Sequence, residues 1–234
     1  MKMTFWQVTM KRSVRLSRAY FILGIFITIY GVVMSNIMSL IPADFANPAP
    51  IDLSNNFPIL SVALLSLSGL LFSLPVVMLF VYDKNNGVLE YLLSTGLDQL
   101  DIFKGYVKAS MMLATYLLVF AVIFNTAMGF ILGTSLGLLA SMVVLTFAIG
   151  ISEVFLVTVC MVAFSSLQKT PMGANQPLGV VIGIIPMFPA LILPLAFPAY
   201  AIVIDLLIAV ITLLVSLVLL LSVDRIILRE KLLP

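Results

Sequence analysis

ASMMLATYLLVFAVIFNTAMGFILGTSLGLLASMVVLTFAIGISEVFLVTVCMVAF, residues 109–164, contains no Lys, Arg or His and a single acid, Glu153. A helix that crosses a bilayer needs about 20 mainly apolar residues, so this stretch is long enough for two. Gly133 marks a tight turn between them and predicts spans over 109–132 and 136–164. Working outward, four further runs of the same character cover about 20–40, 59–82, 178–197 and 200–223.

Composition agrees. Hydrophobic residues make up 62% of the 234 positions and charged residues 9%, against about 25% charged in an ordinary soluble domain. A water-soluble surface cannot be covered from that supply, so lipid must be the solvent for most of the chain. The reading is an all-α membrane protein of six transmembrane helices in a single domain, residues 1–234. Basic residues precede the first run, yet the run is as long as a full span and no small-residue cleavage site follows it. It is expected to be retained rather than removed as a signal peptide.

The joints alternate. Residues 41–58 carry prolines and five Asn or Asp but no Lys or Arg, and the turn near Gly133 and the Phe197–Pro198 joint are equally free of positive charge. All 12 Lys and Arg fall on the other set: the N-terminal segment, Lys84, Lys104 and Lys108, then Lys169, then Arg225, Arg229 and Lys231. Cytoplasmic loops collect positive charge, which predicts both termini in the cytoplasm.

Residues 1–17 are amphipathic. Met3, Trp6, Met10 and Val14 recur at helical spacing, with Lys11, Arg15 and Arg18 on a neighbouring face. This predicts a helix in the bilayer interface, Trp6 at headgroup depth and the cations toward lipid phosphates. It serves either as an anchor alone or as an anchor that also touches a partner.

The second cytoplasmic segment, residues 83–105, reads DKNNGVLEYLLSTGLDQLDIFKG. Asn85, Asn86 and Gly87 favour a turn. Val88 to Ser94 predicts a short helix with Leu89, Leu92 and Leu93 on one face and Glu90 beside it. Gly96 is a natural terminator, and Asp98 or Asp101 can cap the next helix. Such a projecting helix either docks into another protein or rests on the membrane surface.

The residues Asp83, Lys84, Gly87, Leu89, Glu90, Leu92, Leu93, Ser94 and Thr95, followed by Lys104 and Gly105, resemble the coupling-loop pattern of ABC-2 type permeases. These are the membrane subunits of ATP-binding-cassette transporters, mostly exporters. The resemblance covers about 25 residues as a motif and the whole chain as a layout. It implies the ABC-2 (type V exporter-like) fold, with an interfacial elbow helix before six spans. It also implies that Gly87, Leu89, Glu90, Leu92, Leu93 and Ser94 couple to a separate ATPase subunit, and that a second copy or a paralogous permease completes the pathway. The chain would lie in the cell membrane among lipids, with no nucleic-acid partner. The pattern departs at Gly96, where the family usually has Pro, and at Asp98-Gln99, where a basic pair is common.

The chain has no phosphate-binding Gly-x-x-x-x-Gly-Lys-Ser/Thr loop, no Gly-x-Ser-x-Gly elbow and no His-Glu-x-x-His. It is not expected to be an enzyme, to bind a metal or to carry a cofactor. ATP and Mg would belong to the partner ATPase. Cys160, the single cysteine, is read as a small packing residue.

Two acids fall inside spans, Glu153 and Asp205. A charge at that depth costs about 2.5–3.5 kcal/mol on insertion scales. Each is a candidate pathway residue, or else a neutral, hydrogen-bonded structural acid. Asp205 comes early in its span, near enough to the surface to be wet. Two alternative functions follow: a self-sufficient channel or secondary transporter using these acids, or an assembly subunit of the haem-export kind. Gly129, Gly133 and Gly137, and Gly179 with Gly183, predict close helix approach. Pro186, Pro189 and Pro194 predict a broken fifth span.

Overall fold

The computed structural model describes residues 4–16, 18–40, 71, 74–133, 135–166, 189, 192–193, 196–197 and 200–222. All regular structure among them is helical: α1 (Phe5–Leu16), α2 (Arg18–Leu40), α3 (residues 74–85), α4 (Val88–Ser94), α5 (Gln99–Ile131), α6 (Leu136–Ser166) and α7 (Ala201–Leu221). The fifth span and the carboxyl-terminal tail fall largely outside the described residues, as does the first half of the second span.

Gln99–Ile131, Leu136–Cys160 and Ile202–Leu219 are long and apolar enough to cross a bilayer, and α1 with Arg18–Met34 passes the same test as a pair bent by 83°. The chain is thus a membrane-embedded helical protein. α6 packs along α7 and α5, and α5 receives both α1 and α2.

Local chemistry sets the helix ends. Thr4 and Gln7 form half of a capping box, the Thr4 backbone N–H donating to Gln7 Oε1 at 3.0 Å. α4 ends in a Schellman motif. The Gly96 N–H donates to Leu93 O and the Leu97 N–H to Leu92 O, with Gly96 at φ 88°. Proline, fixed near −65°, cannot take that conformation, so this position excludes it. Asp98 caps α5 by accepting from the Gln99 N–H at 2.8 Å.

α5 begins ten residues before the predicted start of the third span. At about 1.5 Å per residue, its 33 residues span about 50 Å, well beyond a hydrocarbon core of about 30 Å. The surplus is the amino-terminal part, where Asp101, Lys104 and Lys108 are exposed.

Gly179 and Gly183 lie outside the described residues and Gly129 is buried in α5, but Gly133 and Gly137 differ from expectation. Gly133 adopts φ 75° and makes the α5–α6 turn, and a Cβ on Gly137 would meet nothing. Close approach occurs instead at Gly150, where a Cβ would come within 2.9 Å of Leu118 on α5, and at Gly105, where it would lie 2.3 Å from the Phe5 ring.

α7 and α2 pack small residues inward. α7 buries Asp205, Ala209, Thr212 and Ser216, spaced along one face, and exposes Ile202, Leu206, Leu207, Val210, Ile211 and Leu214. α2 likewise buries Gly24, Thr28, Gly31 and Val32 and exposes Ile22, Phe26 and Tyr30. Large apolar groups outside and small ones at the contact are what lipid-facing helices require.

Candidate functional site

The best-built polar site lies where α1, α3, α4 and the start of α5 meet. Arg12 donates twice to Asp83, Nη1 to Oδ2 at 2.9 Å and Nη2 to Oδ1 at 2.7 Å. Tyr106 Oη donates to Asp83 Oδ2 at 2.5 Å. The Asp83 side chain is 0% exposed and that of Arg12 38%. A buried carboxylate is tolerable only when paired and hydrogen-bonded, and here three donors do both. Phe5 from α1 and Phe80 from α3 meet the Tyr106 ring edge-on at centroid distances of 5.6 and 5.0 Å. Lys84 is buried beside this junction, and its desolvation lowers its pKa below the ordinary lysine value.

The junction shows which face of α1 is used. Thr9 and Ser13 are its buried residues, their hydroxyls donating to Phe5 O and Met10 O. With Phe5 and Arg12 they form one stripe that meets α5 and α3. Trp6 and Met10 pack on the shared core, while Val14 is exposed. Trp6 also makes a protein contact: its ring sits under Lys108 Nζ, 5.1 Å from the centroid. Lys11, Arg15 and Arg18 are exposed, as their common face predicted.

Residues 83–105 require a correction at Leu89. Leu89 was expected to point toward a partner. It is 0% exposed and belongs to the core formed with Phe80, Ile102, Phe103 and Tyr106, against which Leu92 and Leu93 also pack. Three leucines on a seven-residue helix bury more apolar area against their own chain than a free loop could leave in water. What α4 offers outward is Glu90, Tyr91 (67% exposed), Ser94 and Thr95. The two hydroxyls donate back to Tyr91 O and Leu92 O, which leaves Tyr91 and Glu90 as the prominent groups. Gly87 adopts φ 71° and admits the turn that aims α4.

Arg12 and Tyr106 escaped the sequence reading. Arg12 shares a helical face with Phe5 and Thr9 rather than with Lys11 and Arg15, a signal that only a helical wheel would show. Tyr106 had no signal beyond its place in the first turns of α5.

Glu153 on α6 is fully buried, and Asp205 on α7 is 1% exposed, so burial replaces the wet position considered for it. Between α5 and α6, Thr158 Oγ1 donates to Val154 O and accepts from Ser110 Oγ at 2.8 Å. No group of three His, Cys, Asp or Glu suited to a metal occurs among the described residues. No family model, curated protein or solved structure matches the chain.

Proposed function

We propose that the chain is the membrane permease subunit of an ABC-2 type transporter, forming a substrate pathway with a second permease and taking its driving force from a separate ATPase. The observation that carries the reading is α4. It is a short helix outside the apolar spans, fixed to α1, α3 and α5 by Leu89 and the Arg12–Asp83–Tyr106 cluster, with Tyr91 and Glu90 presented outward. A helix held this rigidly can pass a push from a partner into the spans, whereas a loose loop would absorb it. The proposed layout keeps six spans with both termini cytoplasmic, α1 as the elbow, and this junction at the cytoplasmic end.

The burial of Leu89 changes the test. Truncating Leu89 and Leu92 attacks the fold, so docking must be tested at the exposed groups. In Glu90→Lys and Tyr91→Ala the protein should insert and fold normally, while the ATPase subunit co-purifies poorly or hydrolyses ATP without transport. Normal ATPase capture and normal coupling in both variants would discard the permease reading. Cysteines at Asn55 and Asn86 should label from opposite sides of sealed vesicles, Asn86 from the cytoplasmic side; labelling from one side would end the six-span layout.

A further inference from the structure

The seam between α6 and α7 contains a carboxylate that its surroundings do not satisfy. Asp205, Ala209, Thr212 and Ser216 form the buried face of α7. Ser216 Oγ donates to Thr212 O at 2.7 Å, so that hydroxyl is accounted for. Ala209 packs against Leu139, Met142, Leu145 and Ile149 of α6. Asp205 lies one turn before Ala209, beside this aliphatic wall, and neither of its oxygens meets a hydrogen-bond donor among the described residues. Native proteins leave few buried polar atoms unsatisfied, and those that persist call for an explanation.

Three kinds of group could resolve the charge. A basic side chain is excluded on both helices, since the sequence has no Lys, Arg or His between Lys108 and Lys169 or between Lys169 and Arg225. A bound metal cation is a poor fit, because hard cations take about six oxygen ligands and the residues of this wall supply none. A proton needs only the carboxylate. The other titratable groups on these two helices are Glu153 and Cys160, both on α6 and both buried. Glu153 comes one turn of α6 after Ile149 of the Ala209 wall, and Cys160 follows about two turns later, beside Val159 of the core against which Leu219 packs. Tyr200, just before α7, is exposed.

We propose that Asp205 is a proton-binding site in the α6–α7 seam, loaded while the seam is closed and emptied when the end near Ala201 admits water. On release the O–H bond of the carboxyl breaks, its proton passes to a water molecule, and a carboxylate and a hydronium ion remain. The ionised side chain then favours the open seam, because water can solvate it and the aliphatic wall cannot. The proposal stands independently of any ATPase partner.

The full chain in phosphatidylcholine liposomes, followed by infrared difference spectroscopy across pH, tests this. The spans contain only two acids, Glu153 and Asp205. At neutral pH the carbonyl band of a protonated carboxylic acid should be present in the wild type and in Glu153→Gln, and reduced by one group in Asp205→Asn. Should Asp205→Asn fail to fold, Glu153→Gln alone decides, since Asp205 is then the one acid left in the spans. A cysteine at Ala209, in a Cys160→Ser background, reports opening: labelling by a water-soluble maleimide should rise with pH more steeply than when Asp205→Asn is added. Absence of the band from Glu153→Gln at neutral pH, or the same labelling profile with and without the Asp205 carboxyl, would overturn the proposal.

Discussion

The α1–α3–α4–α5 junction and the α6–α7 seam are both well buried, yet they are built on opposite rules. The junction resembles the core of a soluble protein. It gathers large side chains, including Phe80, Leu89, Phe103 and Tyr106, and locks a charge pair among them. On α7 the large side chains point away from the bundle and the contact is made by Ala209, Thr212 and Ser216. Only 22% of the Ile202–Leu219 window is buried inside the bundle, against 67% for Leu136–Cys160. Where water surrounds the helices, hiding large apolar groups contributes free energy. Where lipid surrounds them, a leucine gains little by moving inward, and close backbone approach decides which residues meet.

The largest effect that follows separates the two rules directly. Leu89→Ala should destabilise the protein by about 2–5 kcal/mol, the range for a cavity in a tightly packed core. Val210→Ala or Leu214→Ala on the exposed face of α7 should cost about 0.5 kcal/mol or less. Reversible unfolding in mixed micelles reads both. Equal losses at Leu89 and Leu214 would break the contrast and show that another part of the assembly covers the outer face of α7.

The charge pair comes next. Arg12→Met leaves Asp83 buried with only the Tyr106 hydroxyl to stabilise it, and removing one partner of a buried pair costs about 3–5 kcal/mol. Arg12 is partly exposed, so the lower end, about 3 kcal/mol, is expected. Arg15→Met, one turn along the same helix and exposed, should change stability by about 0.5 kcal/mol at most. If the two variants matched, the Arg12–Asp83 contact would not hold the junction.

These two regions were not equally legible from sequence. Three of the spans, the third, fourth and sixth, were legible, because a bilayer demands length and apolarity and both are written in the chain. α4 and its ends were also legible, since Gly87, Gly96 and Asp98 carry specific backbone roles and the structure uses all three. Facing was harder. Leu89 lies on an apolar face, and hydrophobicity marks a face without saying what covers it. The stripe that docks α1 is Phe5, Thr9, Arg12 and Ser13, three of whose four residues are polar, so it is invisible to an apolar count. Hydroxyls that bond back to their own helix pack like small apolar groups, which is also why Thr28 and Ser216 are buried. Glycine spacing misled for a related reason: spacing by four is necessary for a packing groove, but Gly133 was required by the turn.

Gly105 sharpens the comparison at intermediate size. It sits at the junction, yet it acts by the rule of the membrane helices, since its missing side chain lets the Phe5 ring rest against α5. In Gly105→Ala the ring must leave, because 2.3 Å is far inside contact distance. Overpacking of this sort costs about 1–3 kcal/mol. The loss should come with detachment of α1, read as faster proteolysis of the amino-terminal segment, and Phe5→Ala in the same chain should recover part of it. Additive losses in the double variant would mean that the glycine and the ring do not share one contact.

The smallest effect expected within the junction is at Lys108. Its ammonium group lies over the Trp6 ring, and both residues are at the edge of the junction rather than within it. Cation–π contacts at exposed sites are worth about 0.5–1 kcal/mol, and Lys108→Met keeps the aliphatic stem that covers the ring. Stability should therefore fall by less than in any of the junction variants above, and Lys108→Arg should retain the wild-type value. Trp6 fluorescence adds a readout that stability alone lacks. If the ring is held against α5 as the structure has it, brominated lipids should quench it only weakly, in Lys108→Met as in the wild type. If α1 instead lies in the headgroup layer with Trp6 as its anchor, the brominated lipid should quench Trp6 strongly in both proteins, and the junction would have to be redrawn as a contact with the membrane.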